Sequence, residues 1–248
     1  MQGGAWIDLL GTGWHRRRQY IDSMLSGLLQ GQCAVCHAWN RERICAACLR
    51  LYVPAQTRCQ RCGLSLASGQ AICGRCLSEP PPLAATHIAF DYAFPWDALL
   101  QRFKFRAGLE LQQALAERLL DAVQSAERPD LILPVPLSDK HLRERGYNQA
   151  QLLAEPVARG LALPCPNGCL LRVRDSAQQA MLDRAARIKN VKGVFAVDPL
   201  RVAELRGRHV AVVDDVMTSG ATVFEIGRVL LAAGAASVQA WVLARTPE

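Results

Sequence analysis

The chain has 248 residues, of which 50% are apolar and 21% are charged. This composition is typical of a globular protein and excludes a disordered tail or a collagen-like repeat, and the length allows one or two domains. No apolar run reaches the roughly 18 residues that a membrane-spanning helix needs, and the N-terminal stretch lacks a secretory cleavage pattern. We therefore expect a soluble, cytoplasmic protein with no membrane span.

The formal net charge of +7 invites a nucleic-acid interpretation. Most of this excess, +5, lies in residues 1–82, against +2 in residues 83–248. The first region also holds eight cysteines. As thiolates on two zinc ions they would reduce its charge to about +1. A polyanion-binding surface remains an alternative, but scattered, solvated charges explain the excess more simply.

Residues 1–32 are predicted to form an N-terminal extension, in which Met24 is an alternative translation start to Met1. Four Cys-x-x-Cys pairs follow, separated by 8, 10 and 10 residues. Two such pairs complete a closed tetrahedral zinc site, which is structural because it leaves no open position for chemistry. So short a segment, with few large apolar residues, needs metal binding to supply its folding free energy.

We therefore predict a double zinc ribbon over residues 33–79 that holds two structural zinc ions. The spacing leaves open whether the pairs are used consecutively or interleaved. A disulfide framework is the alternative, which a cytoplasmic location disfavours. The predicted ligands are Cys33, Cys36, Cys45, Cys48, Cys59, Cys62, Cys73 and Cys76.

The three prolines that follow Glu79 mark a boundary, because consecutive prolines continue neither a helix nor a central strand. A second domain is predicted over residues 83–248. Apolar runs predict strands at 87–93, 130–135, 169–173, 193–197, 209–213 and 237–244, and helical spacing predicts helices at 96–105, 110–123, 146–160 and 221–233. Loops are predicted at 138–145 and 214–220. Strands that alternate with helices predict an α/β fold with a parallel sheet covered on both faces.

The segment from Val210 to Thr222 carries the clearest motif, an apolar strand followed by Asp214, Asp215 and a small, hydroxyl-rich turn. Gly220 lets backbone amides approach an anion, and the helix start adds positive dipole character. The pattern predicts a monophosphate-binding loop, with the two carboxylates placed to accept hydrogen bonds from a vicinal diol such as ribose. A Walker loop is excluded because its Gly-Lys-Ser/Thr ending is absent. The alternative is a strand and a capped helix in which the acidic residues are merely tolerated.

This motif resembles that of the type I phosphoribosyltransferases, which bind 5-phosphoribosyl-1-pyrophosphate (PRPP). With the cysteine pairs and two further segments, the chain is similar to the ComF family over nearly everything from Cys33 to Arg245. The first segment runs from Arg143 to Gln149. The second is a Gln-x-x-Leu, Arg, Asn-Val pattern carried by Gln179, Leu182, Arg187, Asn190 and Phe195.

The resemblance implies a parallel-sheet type I phosphoribosyltransferase-like domain that transfers ribose 5-phosphate from PRPP, with Mg²⁺ on the pyrophosphate, to an acceptor that the sequence does not identify. Asp214 and Asp215 are expected to hold the ribose hydroxyls and face the developing positive charge, and Arg145 is expected to grip the pyrophosphate. The expected PRPP phosphate-binding residues are Val216, Met217, Thr218, Ser219, Gly220 and Thr222. The expected pyrophosphate and lid residues are Lys140, Arg143, Gly146, Asn148, Gln149, Gln179 and Arg187.

The expected pyrophosphate and lid residues also have simpler structural explanations. Residues 143–149 also fit a helix start with polar caps and solvated charges, and residues 178–192 fit an exposed amphipathic helix as well as a lid. Lys104 and Arg106 flank apolar packing positions within reach of the site, although nothing in the sequence requires a role for them there. Cys165 and Cys169 are predicted to be ordinary packing residues.

Two function classes remain open at this level. The first is a Mg²⁺-dependent phosphoribosyltransferase of the type associated with competence and DNA uptake. The second is a non-catalytic PRPP- or nucleotide-binding accessory protein, with DNA-uptake proteins or single-stranded DNA as partners of the ribbon. A plain zinc adaptor would leave the phosphate loop unexplained. Pyrophosphate release from PRPP distinguishes the first two classes.

Overall fold

The computed structural model describes residues 31–67, 69–105, 108–174 and 190–247. The chain divides into two compact units between Leu51 and Tyr52. The first four cysteines of the predicted ribbon lie in the smaller unit, and the other four lie in the larger unit together with the main sheet. The predicted domain limits of 33–79 and 83–248 stay predictions.

The smaller unit contains a short hairpin in which β1 (Gly31–Gln32) pairs antiparallel with β2 (Trp39–Asn40). The turn between the strands carries the first cysteine pair, and the amide of Cys33 donates to the carbonyl of Ala38 at 2.9 Å. Helix α1 (Ala46–Tyr52) begins directly after Cys45.

The larger unit follows a chain order of alternating helices and strands. Its helices are α2 (Gly74–Ser78), α3 (Trp96–Phe105), α4 (Gln112–Ala122), α5 (Asp139–Arg145), α6 (Gln149–Leu161) and α7 (Ala221–Ala232). Its strands are β3 (Ala85–Asp91), β4 (Leu131–Pro134), β5 (Leu170–Arg172), β6 (Phe195–Val197), β7 (His209–Met217) and β8 (Ser237–Arg245). Short 3-10 helices lie at Leu109–Leu111 and Pro199–Glu204.

Four of these strands form a parallel sheet in the order β3-β8-β7-β4. The two central strands are apolar and almost fully buried, as expected of a parallel sheet covered on both faces. Helices α4 and α6 pack on each other and on the sheet, and α7 packs on β7, β8 and β6. The predicted parallel sheet covered by helices, preceded in the chain by two groups of four cysteines, is confirmed.

The helices bury the faces that their apolar spacing predicts. In α3, Trp96, Leu99, Leu100 and Phe103 are buried, which is the i, i+3, i+4, i+7 stripe of an amphipathic helix. Helix α7 packs so closely on the proline segment that a Cβ at Gly227 would lie 2.6 Å from the carbonyl oxygen of Pro82. A residue with a side chain at 227 would therefore push the helix and this segment apart.

The second group of cysteines is part of the core of the larger unit. All four are buried and pack with residues of the sheet and of α7. The segment between them is also bonded to the edge strand β3: the amide of Thr86 donates to the carbonyl of Gln60 at 2.7 Å, and its hydroxyl donates to the carbonyl of Arg61 at 2.8 Å.

Three expectations from the sequence were wrong in detail. Residues 139–145 form helix α5 instead of a loop, because Ser138 caps it by accepting from the amide of His141 and Gly146 ends it at φ +80°. Strand β7 runs on to Met217, so the two aspartates lie within the strand. Strands β5 and β6 pair antiparallel with each other, outside the parallel sheet. Among the described residues, no helix has both the length and the apolar character to cross a bilayer.

Candidate functional site

Asp214 and Asp215 lie at the carboxyl end of the central strand β7. In the register of the sheet Asp214 aligns with Val242 of β8, and the preceding Val213 aligns with Pro134 of β4. Asp214 is half-buried and Asp215 is buried. Because successive side chains of a strand point to opposite faces, this edge presents one carboxylate to each side of β7. The carboxyl edge of a parallel sheet is where α/β folds bind ligands.

A tight turn follows the strand and starts helix α7. Gly220, at φ +83°, is the residue that caps the helix, and a Cβ there would lie 2.6 Å from the Phe224 ring and 2.7 Å from the Met217 side chain. Both the backbone angle and the space therefore require glycine. The amides of the first helical turn have no carbonyl partner within the helix. Such amides form an anion-binding site, so the turn fits a phosphate.

The six residues predicted to bind the PRPP phosphate lie around this turn. Val216 and Met217 end β7, and the carbonyl of Met217 is already used, since it accepts from the amide of Thr246 at 3.0 Å. The hydroxyl of Ser219 accepts from the amide of Ala221 at 3.4 Å. Thr218 and Thr222 are half-buried on either side of the turn. Their phosphate-binding role stays a prediction.

The structure adds a cation to the aspartates, Lys104 near the end of α3. Its ammonium nitrogen lies 2.8 Å from Oδ2 of Asp215. Burial opposes the charge of Lys104, but the two aspartates, Asp215 before Asp214, outweigh it and raise the pKa of the lysine above its ordinary value. Lys104 is therefore a permanent positive charge at the carboxyl edge of the sheet.

Asp214 has an unusual acidity. Burial, reinforced by the negative charge of Asp215, raises the pKa of Asp214 to about 7. Lys104 and the amide of Asp215, which donates to Oδ1 of Asp214 at 2.9 Å, oppose this shift without cancelling it. The carboxyl group of Asp214 therefore exchanges its proton near neutral pH.

This shift predicts a pH dependence of stability. An unfolded aspartate ionises near pH 3.9, so between that pH and about 7 the folded state binds the extra proton. The contribution of Asp214 to the free energy of unfolding therefore falls as the pH rises through this range, by about 1.4 kcal/mol per pKa unit. We expect an Asp214→Asn variant to gain stability relative to the wild type between pH 4 and 7 and to keep a constant advantage above pH 8. Denaturant unfolding at several pH values measures it; parallel curves would contradict the assignment.

Arg145, the predicted catalytic arginine, lies at the end of α5. Its guanidinium stacks on the exposed ring of Phe105, 4.9 Å from the ring centroid, and donates to Oε1 of Gln149 at 3.3 Å. Its charge is close enough to Lys104 to oppose protonation of the lysine. Arg145 and Lys104 thus form a cationic pair beside the aspartates, although no described contact joins Arg145 to either carboxylate.

The neighbours of Arg145 hold the loop in place. Asn148 caps α6 and donates to the carbonyl of Val135 at the end of β4, at 3.0 Å. Gln149, which is buried, donates to the carbonyl of Lys104 at 3.3 Å. These contacts place the start of α6 against the ends of β4 and α3. The predicted pyrophosphate-binding role of Asn148 and Gln149 stays a prediction.

The remaining predicted residues are less well defined. Lys140 and Arg143 are exposed on α5, and Gly146 ends that helix. Gln179 and Arg187 lie outside the described residues, as does most of the predicted lid. The sequence placed Lys104 within reach of the site without requiring a role for it. Arg245 in β8 was not recognised from the sequence. Its buried guanidinium donates to the carbonyls of Met217 and Thr218 before the phosphate turn and to the carbonyl of Cys62 in the second cysteine group. An arginine at the end of an otherwise apolar strand was the available signal.

The eight cysteines gather into two groups of four, formed by consecutive pairs. The sulfurs of each group all lie within 4.8 Å of one another. At a Zn–S distance of about 2.3 Å, tetrahedral ligands lie about 3.8 Å apart. The described Sγ–Sγ distances of 3.9, 3.8 and 3.7 Å match that value. We call Cys33, Cys36, Cys45 and Cys48 the first cluster and Cys59, Cys62, Cys73 and Cys76 the second cluster; both fit a zinc ion.

One thiol of each cluster is prepared for ionisation, which zinc binding requires. Burial opposes ionisation of Cys33, but backbone amides, that of Cys45 above all, lower its pKa to about 6. The amide of Cys73 acts in the same way on Cys59 and lowers its pKa to about 7. Cys165 and Cys169 lie outside both clusters.

Comparison with known proteins agrees with this geometry. Residues 148–248 match the phosphoribosyl transferase domain family. The chain is 37% identical over 225 residues to the DNA utilization protein YhgH of Escherichia coli O157:H7, covering 87% of this chain and 97% of that protein. It is 35% identical over 211 residues to competence protein F of Haemophilus influenzae, covering 83% and 91%. It is 28% identical over 216 residues to competence protein ComFC of Bacillus subtilis, covering 83% and 85%.

Proposed function

This chain belongs to the ComF family, and from that premise we propose that it binds PRPP with Mg²⁺ and transfers ribose 5-phosphate to an acceptor in a process that serves DNA uptake or utilization. The observation that carries the proposal is the arrangement at the end of β7, where two acidic side chains precede a turn that only glycine can make. The names of the relatives supply the link to competence and DNA utilization.

The proposed binding mode assigns one part of PRPP to each part of the site. The turn from Thr218 to Gly220 and the first amides of α7 hold the 5′-phosphate. Asp214 and Asp215 accept hydrogen bonds from the ribose hydroxyls. Lys104, which contacts Asp215, and Arg145, whose charge acts on Lys104, attract the pyrophosphate.

The same groups account for the chemistry. Breaking the anomeric bond leaves positive charge on the ribose ring and negative charge on the departing pyrophosphate. A carboxylate near the ring and cations near the pyrophosphate stabilise both charges in the transition state. Mg²⁺, when bound with PRPP, would neutralise further negative charge on the pyrophosphate. Because Lys104 already contacts Asp215 at 2.8 Å, we assign the aspartates to the sugar and the metal ion to the pyrophosphate.

Replacement of Gly220 by alanine tests the phosphate turn. The new Cβ would approach Phe224 and Met217 to 2.6 and 2.7 Å, at a backbone angle of φ +83°, so the turn must open. We expect PRPP affinity, measured by titration calorimetry with Mg²⁺, to fall by roughly tenfold or more, since about 1.4 kcal/mol of lost interaction has that effect.

Gly207→Ala is the matched control. Gly207 has a similar φ of +70° but a Cβ there would meet nothing within 4 Å, so this variant carries the backbone strain without the clash. It should bind PRPP as the wild type does. Equal affinities of the Gly220→Ala variant and the wild type would count against the proposed phosphate site, and no heat with PRPP in the wild type would exclude the proposed function.

Turnover is tested separately, by pyrophosphate release from PRPP in the presence of candidate acceptors. Release that depends on an acceptor supports the transferase. Binding without release against a broad acceptor panel would instead favour the PRPP-binding accessory protein.

A further inference from the structure

Arg245 joins two parts of the larger unit that are distant in sequence. Its side chain is almost fully buried, with 1% of the residue exposed. Nε donates to the carbonyl of Cys62 at 3.1 Å. Nη1 donates to the carbonyls of Met217 at 3.3 Å, of Thr218, and of Thr246 at 2.7 Å. One guanidinium thus binds the backbone of a second-cluster ligand and the backbone that enters the phosphate turn.

A buried guanidinium is stable only when its donors have well-placed acceptors. Its planar fork fixes the directions in which those acceptors must lie. The carbonyls of Cys62 and Thr218 are therefore held at a defined separation. A displacement of Cys62 would force either a lost hydrogen bond in a buried place or a movement of Thr218, which precedes Ser219 and Gly220 in the turn.

The second cluster packs with the sheet and with α7, but a gap remains beside the turn. A cavity of about 250 Å³ lies between the cluster and the turn, lined among others by Cys62, Cys76, Ser219, Phe224 and Arg245. Side-chain packing across this gap is therefore incomplete, and Arg245 provides a hydrogen-bonded link across it. The second cluster has separate attachments to β3 through Thr86, so it does not depend on Arg245 to stay on the sheet.

We propose that Arg245 is a positioning residue that couples metal binding at the second cluster to phosphate binding at the turn; the proposal rests on the PRPP site proposed above. Zinc holds the sulfur of Cys62 and hence its backbone in place. The hydrogen bonds of Arg245 then hold the carbonyl of Thr218 at a fixed position relative to that of Cys62. The turn that follows Thr218 therefore keeps the shape that binds phosphate. Such coupling is reciprocal. A bound PRPP must therefore stabilise zinc at the second cluster and leave the first cluster unaffected.

Zinc release to a colorimetric chelator tests this reciprocity in the full-length protein loaded with two zinc ions. Release from the two clusters gives two phases, and a Cys36→Ser variant, which disables the first cluster, identifies the phase that belongs to the second. With saturating PRPP and Mg²⁺ we expect the second-cluster phase to slow by about fivefold or more, the lower end of usual coupling between sites. The first-cluster phase should not change.

Variants then test the residue. Arg245→Gln should release zinc from the second cluster at one rate with and without PRPP. Arg245→Lys, which has no counterpart of the Nε–H that binds the Cys62 carbonyl, should also lose the protection. Arg228→Gln is the control, because Arg228 lines the same cavity but pairs with Glu225; it should keep the protection. Inorganic pyrophosphate in place of PRPP controls for direct zinc binding by phosphates, which would alter both phases.

The outcomes separate the two proposals. PRPP that binds by calorimetry but slows neither phase, or both phases equally, overturns the coupling and leaves the proposed function intact. PRPP that gives no binding heat overturns both. Because the wild-type protein alone gives this answer, the test does not depend on the Arg245 variants folding.

Discussion

An Asp215→Asn variant should bind PRPP at least about 100-fold more weakly than the wild type. Asp215 is buried, and its carboxylate lies 2.8 Å from the ammonium of Lys104. The neutral side chain of the introduced asparagine cannot balance the charge of Lys104. It also accepts hydrogen bonds from ribose hydroxyls less strongly than a carboxylate does. Removing one member of a buried charge pair at a binding site costs about 2–5 kcal/mol, and about 2.8 kcal/mol corresponds to 100-fold in affinity. Titration calorimetry with PRPP and Mg²⁺ measures the change.

Two controls identify the cause of this loss. Asp130 lies before β4, at the opposite end of the sheet, with its carboxylate 3.6 Å from Arg208; an Asp130→Asn variant should bind PRPP normally. A double variant, Lys104→Gln with Asp215→Asn, removes the unpaired lysine as well. If it recovers wild-type affinity, Asp215 matters only as the partner of Lys104 and does not touch the sugar. Wild-type affinity in the Asp215→Asn variant would exclude both proposed roles of Asp215, the pairing with Lys104 and the contact with the sugar.

Loss of the second cluster should strongly destabilise the larger unit, whereas loss of the first should not. Cys59 is fully buried and its sulfur accepts from the amide of Cys73 at 3.3 Å, and the cluster packs with the sheet and α7. A Cys59→Ser variant loses the metal and leaves a polar group in the core, a destabilisation of roughly 4 kcal/mol or more. We expect the melting temperature of the larger unit to fall by about 10 °C or more. The variant should also lose one of the two zinc ions.

The matched variant is Cys36→Ser in the first cluster, where the side chain is exposed and the smaller unit holds the site. It should also lose one zinc ion, measured by elemental analysis, but the main calorimetric transition should stay within about 2 °C. Cys165→Ser should keep both ions. Equal melting temperatures for the Cys59 and Cys36 variants would mean that the second cluster is not part of the core.

The predictions that succeeded from sequence were those that depend on local patterns. Four evenly spaced Cys-x-x-Cys pairs predict two four-cysteine clusters wherever the chain places them. The apolar run of β7 and the small residues after it predict a buried strand and a tight turn. The amphipathic stripe of α3 was found at its observed bounds, Trp96–Phe105.

The failures depend on contacts between distant parts of the chain. Asp214 and Asp215 suggested a loop, but the neighbouring strand β8 pairs with β7 as far as Met217 and keeps both aspartates in the strand. Lys104 and Asp215 are 111 positions apart in sequence, yet the ammonium of one lies 2.8 Å from the carboxylate of the other. Arg245 donates to the carbonyl of Cys62, which is 183 positions away. No spacing rule connects such residues, so only the folded structure assigns them to the site.

The bonds from Thr86 to the backbone at Gln60 and Arg61 have a consequence for the protein without its metal. They place the second cluster over β3, a strand at the margin of the sheet. An uncovered edge strand is a template on which another chain can add its own strand. We therefore expect a chain that has lost the metal of the second cluster to expose more of β3, so that aggregation competes with folding.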